Sequence, residues 1–72
     1  MGFATEIFSK RLRELREIAE LTQAQLANEL KVSRGAISYY EKGERTPDIE
    51  FLTDVSELFS VSLEYLLGYT DN

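Results

Sequence analysis

The stretch Thr22–Gly43, TQAQLANELKVSRGAISYYEKG, decides the fold of this chain. Thr22 is a favoured helix N-cap, and Gln25 follows three residues later. This spacing forms a capping box, in which each side chain bonds the other residue's backbone N–H. Leu26 and Leu30 then supply an apolar face at helical spacing. The start of the stretch therefore predicts a short amphipathic helix directly after Thr22.

A second short helix is predicted after a tight turn. Ser33 is its N-cap, and Gly43 is suited to end it in the left-handed conformation. Ile37 and Tyr40 lie three residues apart and face inward. The outward positions are Arg34, Gly35, Ser38 and Tyr39. Two short helices joined in this way form the geometry that inserts the second helix into the DNA major groove.

The rest of the chain predicts three more helices around this pair. An apolar stripe marks the first of them, at Phe8, Leu12, Leu15 and Ile18 (or Ala19). Connections of about two to six residues fit a compact all-α bundle and a single domain over residues 1–72. The predicted helices are α1, about Glu6–Ala19; α2, about Gln23–Leu30; α3, about Arg34–Lys42; α4, from the cap Asp48 to about Phe59; and α5, Leu63–Leu67, between Ser62 and Gly68.

Composition limits the kinds of site that the chain can build. Its 72 residues include no cysteine and no histidine, so we expect no disulfide, no metal and no cofactor. The acidic residues near the C-terminus are spaced around helical surfaces, which indicates solvation rather than catalysis. No apolar run approaches the roughly 20 residues of a membrane span, and no signal peptide is present. We therefore expect a non-enzymatic protein of the reducing cytoplasm.

Charge is distributed unevenly along the chain, whose net charge is −5. The first 47 residues contain all eight basic residues and seven acidic ones, a net charge of +1. Residues 48–72 contain six acidic residues and no basic one, a net charge of −6. The asymmetry predicts a first half that faces DNA and a far side that DNA repels. The alternative interpretation is an ordinary solvated pair of acidic helices.

Taken in order, these features resemble the Cro and phage-repressor type of helix-turn-helix proteins, the XRE family. The resemblance covers most of the chain and implies a five-helix, repressor-like DNA-binding domain that usually acts as a dimer and often heads a longer protein. It also implies an ion pair between Arg16 and Glu41 that bridges α1 and α3. The matching residues are Arg16, Thr22–Gln23, Leu26–Ala27, Val32–Ser33, Ile37–Ser38, Glu41, Gly43, Pro47 and the tail VSLEYLLG that begins at Val61.

Two turn positions depart from the family pattern. Glu20 and Lys31 stand where the family often has glycine. A residue other than glycine with positive φ costs about 1–2 kcal/mol. We therefore expect strained or slightly reshaped turns before and after α2.

The residues predicted to contact DNA are Gln23, Ser33, Arg34, Gly35, Ser38, Tyr39, Lys42 and Arg45. Arg34 can bond guanine O6 and N7 together; a phosphate contact or a solvated side chain are the alternatives. Gln23 can meet a phosphate at the N-terminus of α2. Gly35 permits close approach of the backbone to the groove. Lys42 and Arg45 are expected at phosphates, the alternative being plain surface charge.

The C-terminal part carries apolar residues that predict a contact between two copies. The candidate dimer contacts are Phe51, Leu58, Tyr65 and Tyr69, with burial inside one protomer as the alternative. We predict a sequence-specific regulator of transcription, most simply a repressor, that binds double-stranded DNA at an inverted repeat as a homodimer. Two other hypotheses stay open. One is an antitoxin-type regulator that also binds a protein partner, and the other is a protein-interaction module that kept the fold without binding DNA.

Overall fold

The computed structural model describes residues 3–71 and consists of five α-helices joined by short turns. The helices are α1 (Phe3–Ile18), α2 (Gln23–Leu30), α3 (Arg34–Glu41), α4 (Ile49–Phe59) and α5 (Leu63–Leu67). The described residues include no strand, and the predicted all-α, five-helix fold is confirmed. Compared with the predicted bounds, α1 starts earlier, at Phe3 rather than Glu6, and α3 ends at Glu41 rather than Lys42.

Side-chain caps explain why four of the helices begin where they do. Thr22, Ser33, Asp48 and Ser62 each accept a hydrogen bond from the backbone N–H three residues later, at 2.8–3.0 Å. The capping box of α2 is complete, because the backbone N–H of Thr22 donates to Oε1 of Gln25 at 2.8 Å. Each cap satisfies a backbone group that the helix itself leaves unpaired. The starts of these helices are therefore set by local sequence.

Three aromatic rings hold α1, α3 and α4 together at the centre of the molecule. Tyr40 and Phe51 are stacked with ring centroids 4.1 Å apart, and Phe8 meets both rings edge-on at 6.2 Å. The largest fully buried side chains around them include Leu12, Leu26, Ile37, Val55 and Leu66. The burial of Phe51 in this cluster corrects its assignment to a dimer surface, because a side chain inside the protomer core cannot reach a second copy.

The C-terminal end of α1 differs from the predicted apolar stripe. Phe8 and Leu12 are buried and Leu15 is half-buried, but Ile18 is 79% exposed and Ala19 is exposed as well. The prediction for these last two positions was wrong, because α1 ends at Ile18 and its final turn extends past the core. Leu21, just beyond the turn, packs against the core instead.

The two predicted strained turns are present, and a third accompanies them. Glu20, Lys31 and Ser60 have φ values of 60°, 59° and 55°, all in the left-handed region. Lys31 and Ser60 are the C-caps of α2 and α4, so a single left-handed residue reverses the chain at each helix end. Each of these residues carries a strain of about 1–2 kcal/mol that glycine would avoid.

Arg11, a residue of α1, binds the C-terminal end of the described chain. Its Nη1 donates to the backbone oxygens of Tyr65 and Thr70 at 2.8 and 2.9 Å, and its guanidinium lies 4.2 Å from the centroid of the Tyr65 ring. Asp71 adds an ion pair at 3.6 Å. Arg11 therefore stabilises the position of α5 rather than contributing to a DNA-facing charge.

Candidate nucleic-acid interface

The outward face of α3, formed by Arg34, Gly35, Ser38 and Tyr39, is opposite its buried face. Ile37 is fully buried, and Ala36 and Tyr40 are 7% and 5% exposed. On the opposite side Arg34 and Gly35 are exposed, Tyr39 is 53% exposed and Ser38 is half-buried. The structure thus brings the outward residues of the sequence pattern onto one surface of a firmly packed helix.

Ser33 has a structural role that does not use its hydroxyl hydrogen. Its Oγ accepts from the backbone N–H of Ala36 at 3.0 Å and so caps α3. A serine hydroxyl also carries one donor hydrogen, which the cap does not use. The hydroxyl can therefore both begin the helix and donate to a phosphate oxygen.

Gly35 has no role inside the protein that requires a glycine. A Cβ built at this position would meet nothing closer than the Oγ of Ser33, at 3.9 Å. By contrast, Gly43 and Gly68 have φ values of 74° and 88°, which side chains rarely adopt. Packing and backbone conformation thus leave the glycine at position 35 unexplained.

The basic residues of the first half fall into two groups. Arg11, Arg13 and Arg16 form ion pairs within the protein, Arg13 with Glu17 at 3.5 Å. The exposed lysines and arginines that form no such ion pair in the described part of the chain are Lys10, Lys31, Arg34, Lys42 and Arg45. Lys42 is the C-cap of α3, and the Arg45 guanidinium lies 5.2 Å from the centroid of the Tyr40 ring. Lys42 and Arg45, the predicted phosphate contacts, therefore lie within four residues of the end of α3.

Arg16 and Glu41 form a bidentate ion pair between α1 and α3. Arg16 Nε donates to Glu41 Oε2 at 2.7 Å, and Nη2 donates to Oε1 at 3.1 Å. The hydrogen bond to Glu41 raises the pKa of Arg16, although burial opposes the shift. Arg16 Nη1 also donates to the backbone oxygen of Leu21 at 2.9 Å, which fixes the turn before α2.

Gln23 joins this ion pair, a contact that sequence reasoning missed. Its Nε2 donates to Glu41 Oε1 at 3.1 Å and links the first residue of α2 to the last residue of α3. Helical periodicity carries no signal for such a contact, because 18 residues and a turn separate the two side chains. This hydrogen bond connects Gln23, a predicted phosphate contact, to the ion pair of Arg16 and Glu41, which is predicted to be structural.

The candidate dimer residues differ widely in exposure. Tyr69 is 78% exposed and Leu58 is 37% exposed. Tyr65 is half-buried beneath the Arg11 guanidinium. Of the four predicted residues, Leu58 and Tyr69 thus offer the larger apolar surface to a second copy.

The outer face of α4 is acidic. Glu50, Asp54 and Glu57 are exposed there, and the last two line a shallow groove with Glu29 of α2. No set of three or more carboxylates within residues 3–71 is arranged to hold a metal ion. None of the helices over the same residues combines the length and apolar character needed to cross a membrane.

Comparison with known proteins places most of the chain in one domain family. The Helix-turn-helix family model matches residues 12–66, which include all of α2, α3 and α4. The matched segment ends within α5, one residue before Leu67. It therefore contains the Arg16–Glu41–Gln23 contacts and the whole outward face of α3.

Several bacterial regulators are similar to the chain over most of its length. It is 41% identical over 66 residues to the uncharacterized HTH-type transcriptional regulator YqaE of Bacillus subtilis, an alignment covering 92% of this chain and 57% of that protein. It is 47% identical over 61 residues to the HTH-type transcriptional activator BcrR of Enterococcus faecalis, covering 85% and 30%. It is 34% identical over 59 residues to the cryptic phage CTXphi transcriptional repressor RstR of Vibrio cholerae, covering 82% and 53%. The chain therefore spans between about a third and three fifths of these relatives.

Proposed function

Because the chain belongs to the helix-turn-helix family, we propose that it is a transcriptional regulator that binds a specific double-stranded DNA sequence through α3. The observation that carries the proposal is the exposed face of α3, where Arg34 and Tyr39 project from a helix anchored by buried Ile37 and Tyr40. A short, rigidly held helix of this kind fits the major groove. The single core in which the helices pack supports treating the chain as one domain.

Base recognition falls to the outward side chains of α3. Arg34 bonds guanine O6 and N7 with its two-pronged guanidinium. Tyr39 packs its ring against a thymine methyl group or reaches a phosphate with its hydroxyl, and Ser38 bonds a base edge or a phosphate. Gly35 lets the α3 backbone approach the groove, since the protein itself has room for a side chain there.

Phosphate contacts flank this helix and set its orientation on the duplex. Lys42 and Arg45 supply positive charge after the end of α3. Gln23 and Ser33 supply neutral donors at the starts of α2 and α3. Such contacts position the protein without reading sequence, while the base contacts of α3 provide specificity.

We propose a homodimer on DNA and an operator that is an inverted repeat. The longest dimension of the molecule is 28 Å, whereas successive major grooves on one face of DNA are about 34–36 Å apart. One copy therefore brings one recognition helix to one groove. A two-fold axis that relates two copies doubles both the base contacts and the phosphate contacts.

We propose repression as the direction of control, by occupation of a promoter. RstR is named a repressor and BcrR an activator, so relatives of both kinds exist. Repression requires only that bound protein excludes other proteins from the site. We propose that the chain acts in the cytoplasm, where bacterial DNA lies, and that it catalyses no reaction and uses no cofactor.

Selection of genomic fragments with the purified chain tests the proposed function. The expected result is enrichment of one sequence motif with two-fold symmetry, and loss of base preference at one position of each half-site with Arg34→Ala. Fragments of unrelated sequence, recovered equally by both proteins, would contradict sequence-specific binding. A reporter placed behind the selected site then distinguishes repression from activation.

A further inference from the structure

Glu41 accepts three hydrogen bonds in a space almost closed to water. Its side chain is 4% exposed, and its two oxygens receive Nε and Nη2 of Arg16 together with Nε2 of Gln23. The Nε2 group of glutamine carries two hydrogens, of which Glu41 takes one. The second hydrogen belongs to a half-buried side chain at the first residue of α2.

We infer that Glu41 is a positioning residue for DNA binding, which holds the Gln23 carboxamide so that its second N–H meets a DNA phosphate. The inference rests on the proposed function, because Glu41 is too buried to contact DNA itself. A glutamine side chain otherwise loses rotamer freedom when it binds. Orientation before binding removes part of that cost and so raises the affinity for DNA.

Only a carboxylate of this length satisfies the three donors. Glutamine at position 41 has one oxygen, so its NH₂ group would face either Arg16 Nε or both Arg16 Nη2 and Gln23 Nε2, which now donate to Oε1. The negative charge also has its counter-ion, because the Arg16 guanidinium bonds both oxygens. Glu41 can therefore bond to Gln23, the proposed phosphate-binding side chain, while Arg16 compensates its negative charge.

Glu41→Gln separates positioning from simple electrostatics by the sign of its effect. Removal of a negative charge near DNA would by itself strengthen binding, since the phosphates are repelled less. Loss of one oriented hydrogen bond weakens binding, by about three- to tenfold. We therefore expect operator affinity to fall. Glu17→Gln is the matched charge control, because Glu17 lies near enough to raise the pKa of Arg16 but forms its ion pair with Arg13, away from Gln23.

A double-mutant cycle tests whether the effect passes through Gln23. Operator affinity is measured for the natural chain, Glu41→Gln, Gln23→Ala and the combined variant, with the folded fraction of each checked by circular dichroism at the assay temperature. We expect both single variants to bind more weakly and Glu41→Gln to cause no further loss in the Gln23→Ala background. If Glu41→Gln is not fully folded, Glu41→Asp replaces it, since aspartate keeps the charge opposite Arg16 while its shorter side chain withdraws from Gln23.

A measurement on the free protein tests the hydrogen bond between Gln23 and Glu41 directly. The side-chain amide of Gln23, assigned by its absence from Gln23→Ala, should show a ¹H–¹⁵N signal that shifts in the Glu41 variant. The Glu17 variant should leave that signal in place. An unchanged signal in the Glu41 variant would overturn the inference before any DNA is added.

The outcomes of the cycle distinguish this inference from the proposed function. A loss of affinity that is equal in both backgrounds makes Glu41 a purely structural residue and overturns the inference alone. Tighter binding by Glu41→Gln, or normal binding by Gln23→Ala, overturns it as well. If the natural chain selects no DNA sequence, the proposed function fails and the inference fails with it.

Discussion

Arg34 and Gly35 lie side by side at the start of α3, and we propose that they contribute to DNA binding in different ways. Arg34 adds a long donor group to the outward face, whereas Gly35 removes every side-chain atom from it. The protein has open space at both positions, since both residues are exposed. What these two residues do must therefore be tested with DNA, because the folded structure alone places no demand on either.

Replacement of Arg34 by alanine should relax base preference at one position in each half-site. Loss of a bidentate contact to guanine costs about 1–3 kcal/mol of discrimination. Affinity for the selected operator and for random DNA is measured side by side at one salt concentration. An equal loss on both DNAs would reassign Arg34 to a phosphate.

Replacement of Gly35 by alanine should stabilise the protein and weaken its binding to DNA. Alanine favours a helix interior over glycine by about 0.5–1 kcal/mol, and the new methyl group meets no atom within 3.4 Å. At the DNA surface the same methyl group separates the helix from the groove. Urea unfolding and operator affinity are measured on one sample. Asn28→Ala on the exposed side of α2 is the control, because it raises helix propensity without adding atoms to α3. Full affinity in Gly35→Ala would show that the backbone does not approach the groove there.

Helix α5 is held in place by contacts that the periodicity of the sequence does not predict. The chain leaves α5 through Gly68, whose φ of 88° is left-handed. A Cβ at Gly68 would overlap Cδ1 of Ile7 on α1 and lie 3.0 Å from its Cγ2. Arg11 then holds the segment that follows against α1. The end of α5 thus depends on close approach to α1.

Replacement of Gly68 by alanine should destabilise the protein more than the same change at Gly43. Both glycines have positive φ, so each replacement adds about 1–2 kcal/mol of backbone strain. Only the new methyl group at position 68 also overlaps Ile7, which adds about 1–3 kcal/mol of overpacking, whereas at position 43 the nearest atom is 3.7 Å away. Chemical denaturation of both variants measures the difference. Equal losses of stability would mean that α1 and α5 can separate without cost.

The starts of four helices could be predicted from the sequence, whereas several contacts between separate helices could not. The starts of α2 to α5 depend on a cap and a backbone N–H three residues away, so local sequence contains the whole interaction. The bond between Gln23 and Glu41 and the burial of Phe51 depend on how separate helices cross. Ile18 fits the apolar stripe of α1 by spacing, yet the helix extends past the core there. The spacing of apolar residues identifies the apolar face of a helix, but the packing of the helices determines which part of that face is buried.

The number of lysines and arginines available for phosphate contacts limits how tightly one copy of the protein can bind DNA. Within residues 3–71, three of the eight basic residues form ion pairs, so their charge is already compensated inside the protein. Non-specific affinity for DNA depends on the number of phosphates that a protein neutralises. A single copy with two proposed phosphate-binding cations, Lys42 and Arg45, should therefore bind weakly. In the proposed dimer, the second copy would supply as many phosphate contacts again.

The dimer proposal predicts the composition of the operator complex and its sensitivity to one residue. Two copies related by a two-fold axis should occupy half-sites about one helical turn apart, measured as two chains per operator by analytical ultracentrifugation. Leu58→Glu places a charge in the proposed contact and should lower operator affinity by about tenfold or more, which corresponds to about 1.4 kcal/mol. Thr53→Glu adds the same charge at an exposed position of α4 and serves as the control. One chain on a tight, non-palindromic site would exclude the dimer. A two-fold complex that tolerates Leu58→Glu and Thr53→Glu equally would retain the symmetry and leave Tyr69, beyond α5, as the exposed residue to test next among the four predicted contacts.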